Sequence, residues 1–185
     1  EEWAPASINL PLRGGDSIWV PDGGRTELQT KDGTHLRLNE GSALEILASE
    51  DGSYQFYLAQ GRAYINFGAR DDSVIQIDTP LSSTRVFEKT VFKVDVDEDG
   101  NSTVSVIRGL VDVESRSGRS SINGGKSISI GEDGYAEISS LGPSDEWEKW
   151  NRSRDKKILR GTGAQYLPEE LRPYSNDLDG HGRWV

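Results

Sequence analysis

The chain has no cysteine among its 185 residues, which excludes disulfides, metal–thiolate sites and thiol catalysis. Methionine is absent too, and the chain opens on Glu1-Glu2-Trp3. It therefore reads as a processed or trimmed product, with any signal peptide or anchor upstream of Glu1. No apolar run approaches the ~18 residues of a membrane span, so no membrane insertion is expected within the chain. Cations are in short supply: 21 Lys and Arg against 31 Asp and Glu leave a formal charge of −10. Such a surface repels phosphate, which argues against nucleic acid and against an anionic membrane face. Cationic partners, and neutral ones such as sugars, stay open. Histidine is scarce: His35 lies in a strand pattern and His181 far away in the tail. A metal site or histidine-dependent catalysis is thus not expected, nor is any cofactor. His35 alternates with Leu36, so its predicted place is the solvent face. No G-x-S-x-G elbow occurs among the many serines.

Glycine is abundant, at 21 residues, and marks many tight turns. Between the glycines, apolar residues alternate with polar ones: Leu36 and Leu38; Leu44 and Ile46; Phe56 and Leu58; Ala63, Ile65 and Phe67; Ile75 and Ile77. The pattern continues through Phe92, Val94 and Val96; Val104 and Val106; Val111 and Val113; and Ile128 and Ile130. A period of two places these side chains on one face of a pleated strand. Asp22-Gly23-Gly24, Lys31-Asp32-Gly33, Asp51-Gly52, Asp99-Gly100-Asn101 and Asp133-Gly134 are hairpin turns by composition. A weak repeat recurs: Phe56-x-Leu58-x-x-Gly61-x-Ala63-x-Ile65 matches Val104-x-Val106-x-x-Gly109-x-Val111-x-Val113. Leu36-x-Leu38-x-x-Gly41 and Ile122-Asn123-Gly124-Gly125 are looser copies. Each unit is two strands joined at a glycine, by a bend, a bulge or a very short turn. One hairpin cannot bury its apolar face alone, so several must stack. The predicted fold is all-β: a rolled antiparallel sheet of stacked hairpins, jelly-roll-like or with β-helical character, plus a short helical C-terminal tail.

Three segments follow. Residues 1–15 are an extended lead-in, 16–141 the β domain, and 142–185 a helical tail or linker to a missing C-terminal region. Gly142-Pro143 stops the last strand, and Asp145 followed by Glu148 has capping-box spacing. The helix is predicted over about 145–159, with Trp147, Trp150 and Ile158 on one face. A helix this short needs a surface, so it is expected to dock on the β domain through Trp147 and Trp150. The basic residues from Arg152 to Lys157 would then lie over the acidic domain. The alternative leaves both rings exposed as a binding face. A short second helix is predicted at Tyr166–Leu171, with Pro168 in its first turn.

Residues 16–141 resemble the FecR-type domain. The likeness is carried by Gly15-Asp16, Arg25-Thr26-Glu27-Leu28, Asp32-Gly33-Thr34, Leu36-Arg37-Leu38, Gly61-Arg62 and Thr79-Pro80. Thr90-Val91-Phe92-Lys93-Val94-Asp95-Val96 and Thr103-Val104-Ser105-Val106-Ile107-Arg108-Gly109-Leu110-Val111-Asp112-Val113 complete it. Lys89 stands where that family usually has glycine. The tail, through Tyr166–Tyr174 and Asp177-Leu178-Asp179, is similar to the linker of secreted FecR-domain proteins of unknown function. The resemblance implies a bacterial extracytoplasmic domain, periplasmic or secreted, without catalytic residues. Its best-known members pass a signal from an outer-membrane receptor to a sigma factor.

Candidate sites are few. Asp95-x-Asp97-x-Asp99-Gly100 has calcium-loop spacing, but Val106 stands where an EF-hand needs its bidentate Glu, so a hairpin tip is the expectation. Glu45 with Glu50, or Asp71 with Asp72, is a nominal glycosidase pair that nothing separates from a solvated acidic face. The Gly-rich segments lack phosphate-loop spacing, and the sequons at Asn101 and Asn151 are coincidence in a bacterial chain. Tyr54, Phe56, Tyr57 and Tyr64 cluster around one hairpin; Tyr57 and Tyr64 share the non-core parity and form either an exposed platform or a covered pair. The candidate binding residues are Tyr54, Tyr57, Tyr64, Trp147 and Trp150. The expected function is a non-catalytic cell-envelope module that binds another protein for signalling or assembly. A surface-glycan-binding module is the alternative, and a hydrolase the remote one.

Overall fold

The computed structural model describes residues 3–50, 52–69 and 72–160, with side chains of the helix followed to Ile158. Alternating apolar side chains in short glycine-punctuated segments give thirteen strands among these residues, curled into a half-barrel of two leaves. The first leaf runs β1 (Ser17–Trp19), β4 (Ala43–Glu50), the start of β5 (Ser53–Phe67), β6 (Val74–Asp78), β7 (Ser82–Val86), β10 (Leu110–Ser115) and β11 (Gly118–Asn123). The second runs β2 (Thr26–Gln29), β3 (His35–Leu38), the end of β5, β8 (Thr90–Val96), β9 (Ser102–Arg108), β12 (Lys126–Ile130) and β13 (Ala136–Ser140). The leaves share β5.

The core lies between the leaves. Every residue of the alternating pattern named above is buried there, none more than 5% exposed. Tyr54, Val20, Val86 and Ile122 join them.

The repeat turns out to be the crossing between leaves. The chain passes from one leaf to the other at Gly41 between β3 and β4, at Gly61 inside β5, at Gly109 between β9 and β10, and at Gly124-Gly125 between β11 and β12. Gly61 and Gly109 both have φ +94°. A Cβ on Gly61 would stand 2.4 Å from the Ser42 Cα, and one on Gly109 2.4 Å from the Thr90 Oγ1. Lys89 adopts no positive φ, so the turn into β8 forms without a glycine there.

Two expectations need correction. The sheet is mixed, because β5 and β6 pair in parallel from Ser53↔Val74 to Tyr57↔Asp78. Since β5 bends through both leaves, β6 starts beside β5's own beginning, with the Val74 N–H donating to the Gly52 carbonyl at 2.9 Å. His35 has the parity expected of it, but its face is not a solvent face; the ring is buried opposite Glu27, at 3.7 Å.

The tail helix, α1 (Glu146–Arg160), begins and ends one residue later than predicted. The Asp145 carboxylate caps it by accepting the Glu148 N–H at 2.7 Å. Glu148 does not reach back to close a capping box; it accepts from the Ser144 hydroxyl and pairs with Lys93 on the sheet, both at 2.7 Å. The predicted second helix, the 166–179 likeness and His181 lie outside the described residues.

Candidate functional site

The outer face of the second leaf carries a polar row where apolar residues would be the usual seat for a helix. Arg37, Tyr64 and Lys93 are in register across β3, β5 and β8, with Arg62 and Asp95 in register beside them. Helix α1 lies on this row. Trp147, 3% exposed, meets Tyr64 edge to face at 6.2 Å and 84°, an arrangement the ring quadrupoles favour. The Arg62 guanidinium covers the Trp147 ring at 4.8 Å, and Arg25 and Arg154 stand over Trp150 at 4.7 and 5.1 Å. Charge complements this aromatic contact. Arg62 pairs with Asp145 at 2.6 Å, Lys93 with Glu148 at 2.7 Å, and Arg37 with Asp155 at 2.7 Å. Arg37, fully buried, also donates to Glu27, and the Tyr64 hydroxyl donates to Asp155 at 2.8 Å.

The charge pattern inverts the sequence expectation. Acids on the helix meet cations on the sheet, because the row of basic side chains sits on one face of an otherwise acidic domain. Of the basic residues at the helix end, Arg154 reaches Glu27 at 3.0 Å and Arg152 turns back to Glu148, while Lys156 and Lys157 stay exposed.

The ionisable groups here are committed to one another. Burial alone would raise the Glu27 carboxyl, but the nearby His35 ring and hydrogen bonds from Arg154 and Arg37 outweigh it and hold it well below the usual carboxylate range. Burial likewise opposes Glu148 and Asp145; Lys93 and Ser144 bring the first below its ordinary value, and the Glu148 amide with Arg62 the second. Burial, then the neighbouring Asp155 carboxylate, pushes the Tyr64 phenol far up. A phenol held protonated and carboxylates held ionised make a joint, not an acid–base pair.

The outer face of the first leaf is open. Gln55, Gln76, Arg85, Asp112 and Ser121 form one cross-strand row. Glu45, Tyr57, Asp78, Ser83, Glu114 and Arg119 form the next. Gln55 and Gln76 both donate to Asp78, at 2.6 and 2.7 Å, and Arg85 donates to Gln76 at 2.9 Å. A shallow depression of about 580 Å3 lies over Gln76, Asp78, Ser83, Arg85 and Glu114.

The aromatic candidates are therefore separated. Tyr54 is a core residue, Tyr64 is covered by α1, and Trp147 and the half-buried Trp150 serve the helix seat; Tyr57 is half-exposed, on the open face. Tyr57 and Tyr64 form no shared platform because the bend at Gly61 sends them to different leaves. The Asp95–Gly100 segment is the β8–β9 hairpin tip: Asp97 accepts from the N–H groups of Asp99 and Asn101, and Asp95 pairs with Arg62. No group of three metal-binding side chains is gathered among the described residues, and no described helix is long and apolar enough to cross a membrane. Of the nominal glycosidase pairs, Glu45 stands exposed against Tyr57 on the open face, and Asp71 lies outside the described residues. Sequence reasoning missed the cationic row; Arg37, Arg62 and Lys93 each follow or precede a core residue by one, which is the signal that they share the opposite face.

No curated protein matches the chain. Two solved structures, both described as candidate anti-sigma factors from Parabacteroides distasonis, share the fold. One has 20% identity and a TM-score of 0.60, covering 68% of this chain and 59% of its own. The other has 19% identity and a TM-score of 0.61, covering 79% of this chain and 65% of its own. This chain thus spans less than two thirds of either. The model of the family described as "FecR protein" matches residues 16–112, from the loop before β1 to the middle of β10, and the chain belongs to that family.

Proposed function

We propose that the chain is a non-catalytic regulatory module of the bacterial cell envelope that binds another protein, for signalling or assembly, through the outer face of its first leaf. The observation that carries this is the asymmetry of the two leaves: α1 covers the β3–β5–β8 part of one outer face, while the other presents two open cross-strand rows of polar side chains around Tyr57. Family membership supports an extracytoplasmic, regulatory role, as does the fold shared with structures described as candidate anti-sigma factors. A flat polar face with one half-buried aromatic has the make-up of a transient protein interface. Photo-crosslinking tests it, with benzoylphenylalanine placed in turn at Tyr57, Ser83 and Ser121 in the source bacterium. One discrete adduct from these positions, absent when the probe replaces Lys156, is the expected result. No adduct from any of the three overturns the reading.

Glycan binding is the second reading. It is favoured by Tyr57 standing in register between Glu45 and Asp78 beside the Gln, Ser and Arg side chains of the depression, since ring faces and planar polar groups suit sugars. Retention on cell-wall polysaccharide, lost with Tyr57→Ala, would support it; no retention would remove it.

A further inference from the structure

We infer that the seat beneath α1 is a second binding surface, one that accepts an acidic amphipathic helix from a partner protein, and that α1 occupies it in cis. This goes beyond the open face of the first leaf and does not depend on it. Three observations carry the inference.

The first is the character of the seat. Arg37, Arg62 and Lys93 form a cationic strip around Tyr64 on a chain of net charge −10. A strip so placed selects an acidic ligand, and α1 displays the required pattern: Asp145, Glu148 and Asp155, one for each cation, with Trp147 between them. The sheet face is mixed, with Arg37, Arg62, Lys93 and the sheet carboxylates Glu27 and Asp95 around Tyr64 and only Val91 and Ile107 apolar, so it is better suited to water once uncovered than the apolar face that holds a permanent helix.

The second is that the fit is incomplete. Arg37 Nη2, Trp147 Nε1 and Asn151 Oδ1 are buried in the joint without a hydrogen-bond partner. Unmet buried polar atoms oppose docking; two of these three belong to α1 itself, so a helix without such orphans, and with an acceptor for Arg37 Nη2, would displace it.

The third is separation. The apolar contacts of α1 form their own small cluster of Tyr64, Val91 and Trp147, edged by Ile107 and Trp150, apart from the core between the leaves. The connection from β13 is short and mostly exposed, and a Cβ added at Gly142 within it would meet nothing within 4 Å. Release of α1 therefore leaves the core intact.

The test uses the full chain and a fluorescein-labelled peptide of residues 144–160 as the acidic helix. In the chain carrying Asn151→Pro with Trp147→Ala, α1 is broken at its centre and loses its anchor, which opens the seat; saturable peptide binding is expected. The intact chain should bind the same peptide at least about tenfold more weakly, because only its open fraction competes. A peptide carrying Asp145→Asn, Glu148→Gln and Asp155→Asn should lose binding to the open chain, and so should the wild-type peptide when Arg62→Ala and Lys93→Ala are added to that chain. The inference is overturned if the open chain ignores the peptide, if the neutral peptide binds as well as the acidic one, or if the intact chain binds as tightly as the open one. It is also overturned if the intact chain elutes as a helix-exchanged dimer, for then the occupant is a second copy.

Discussion

Gly61 and Gly109 hold the same left-handed φ, yet each also has a neighbour where a side chain would go. Gly33 shares the conformation, at φ +84°, with open space around it. The three positions separate backbone strain from steric conflict. Gly33→Ala is expected to cost about 1 kcal/mol, the left-handed penalty alone. Gly61→Ala and Gly109→Ala should cost at least about 2–3 kcal/mol, because strand and neighbour must part as well. Urea denaturation of the three variants checks this; equal midpoints would refute it. The repeat that singles out Gly61 and Gly109 is legible in the sequence, whereas Ser42 and Thr90, which make them obligatory, arrive from distant strands and leave no local mark.

At the scale of the element, α1 shows what a pattern can and cannot announce. Its spacing of Trp147 and Trp150 indicates one face and hence a docking surface. The place of docking was hidden, since Arg37, Arg62 and Lys93 look like ordinary solvent-facing strand residues until the leaves curl. Trp147→Ala should weaken docking by about 3 kcal/mol, as expected for a buried aromatic. Trp150→Ala, half-buried between two guanidinium groups, should cost nearer to about 1 kcal/mol. Hydrogen exchange reads both. The amides of α1 should exchange faster in each variant, and far faster for Trp147→Ala, while those of β5 and β8 keep their protection. Loss of protection throughout would mean that helix and sheet unfold as one.

At the scale of the molecule, the alternation of apolar residues specified a rolled sheet and its core face, and the parallel β5–β6 pair escaped it because periodicity carries no strand direction. Charge gives the whole chain a pH response. Glu27, Asp145 and Glu148 have carboxyls held below their ordinary values when α1 is docked. A depressed docked value means that their contribution is complete above the detached value and is lost as pH falls. Acidification below about pH 4, the ordinary carboxylate range, should therefore free the helix. The intrinsic fluorescence should shift there, by a step that Trp147→Phe removes, ahead of any change in far-ultraviolet β signal. A single transition in which both signals move together would contradict this order.

The sharing of β5 by both leaves also decides how the chain bears load. β1 and β13, the first and last strands, are edge strands of different leaves, each hydrogen-bonded to one neighbour. β5 is flanked on both sides along its length, by β4 and β6 in one leaf and by β3 and β8 in the other. Tension drawn through the two ends would strip α1 and the edge strands in sequence, a few bonds at a time, before reaching β5. The fold is then a graded mechanical fuse: stretching should lengthen it in small steps at low force, with the central strand the last to yield.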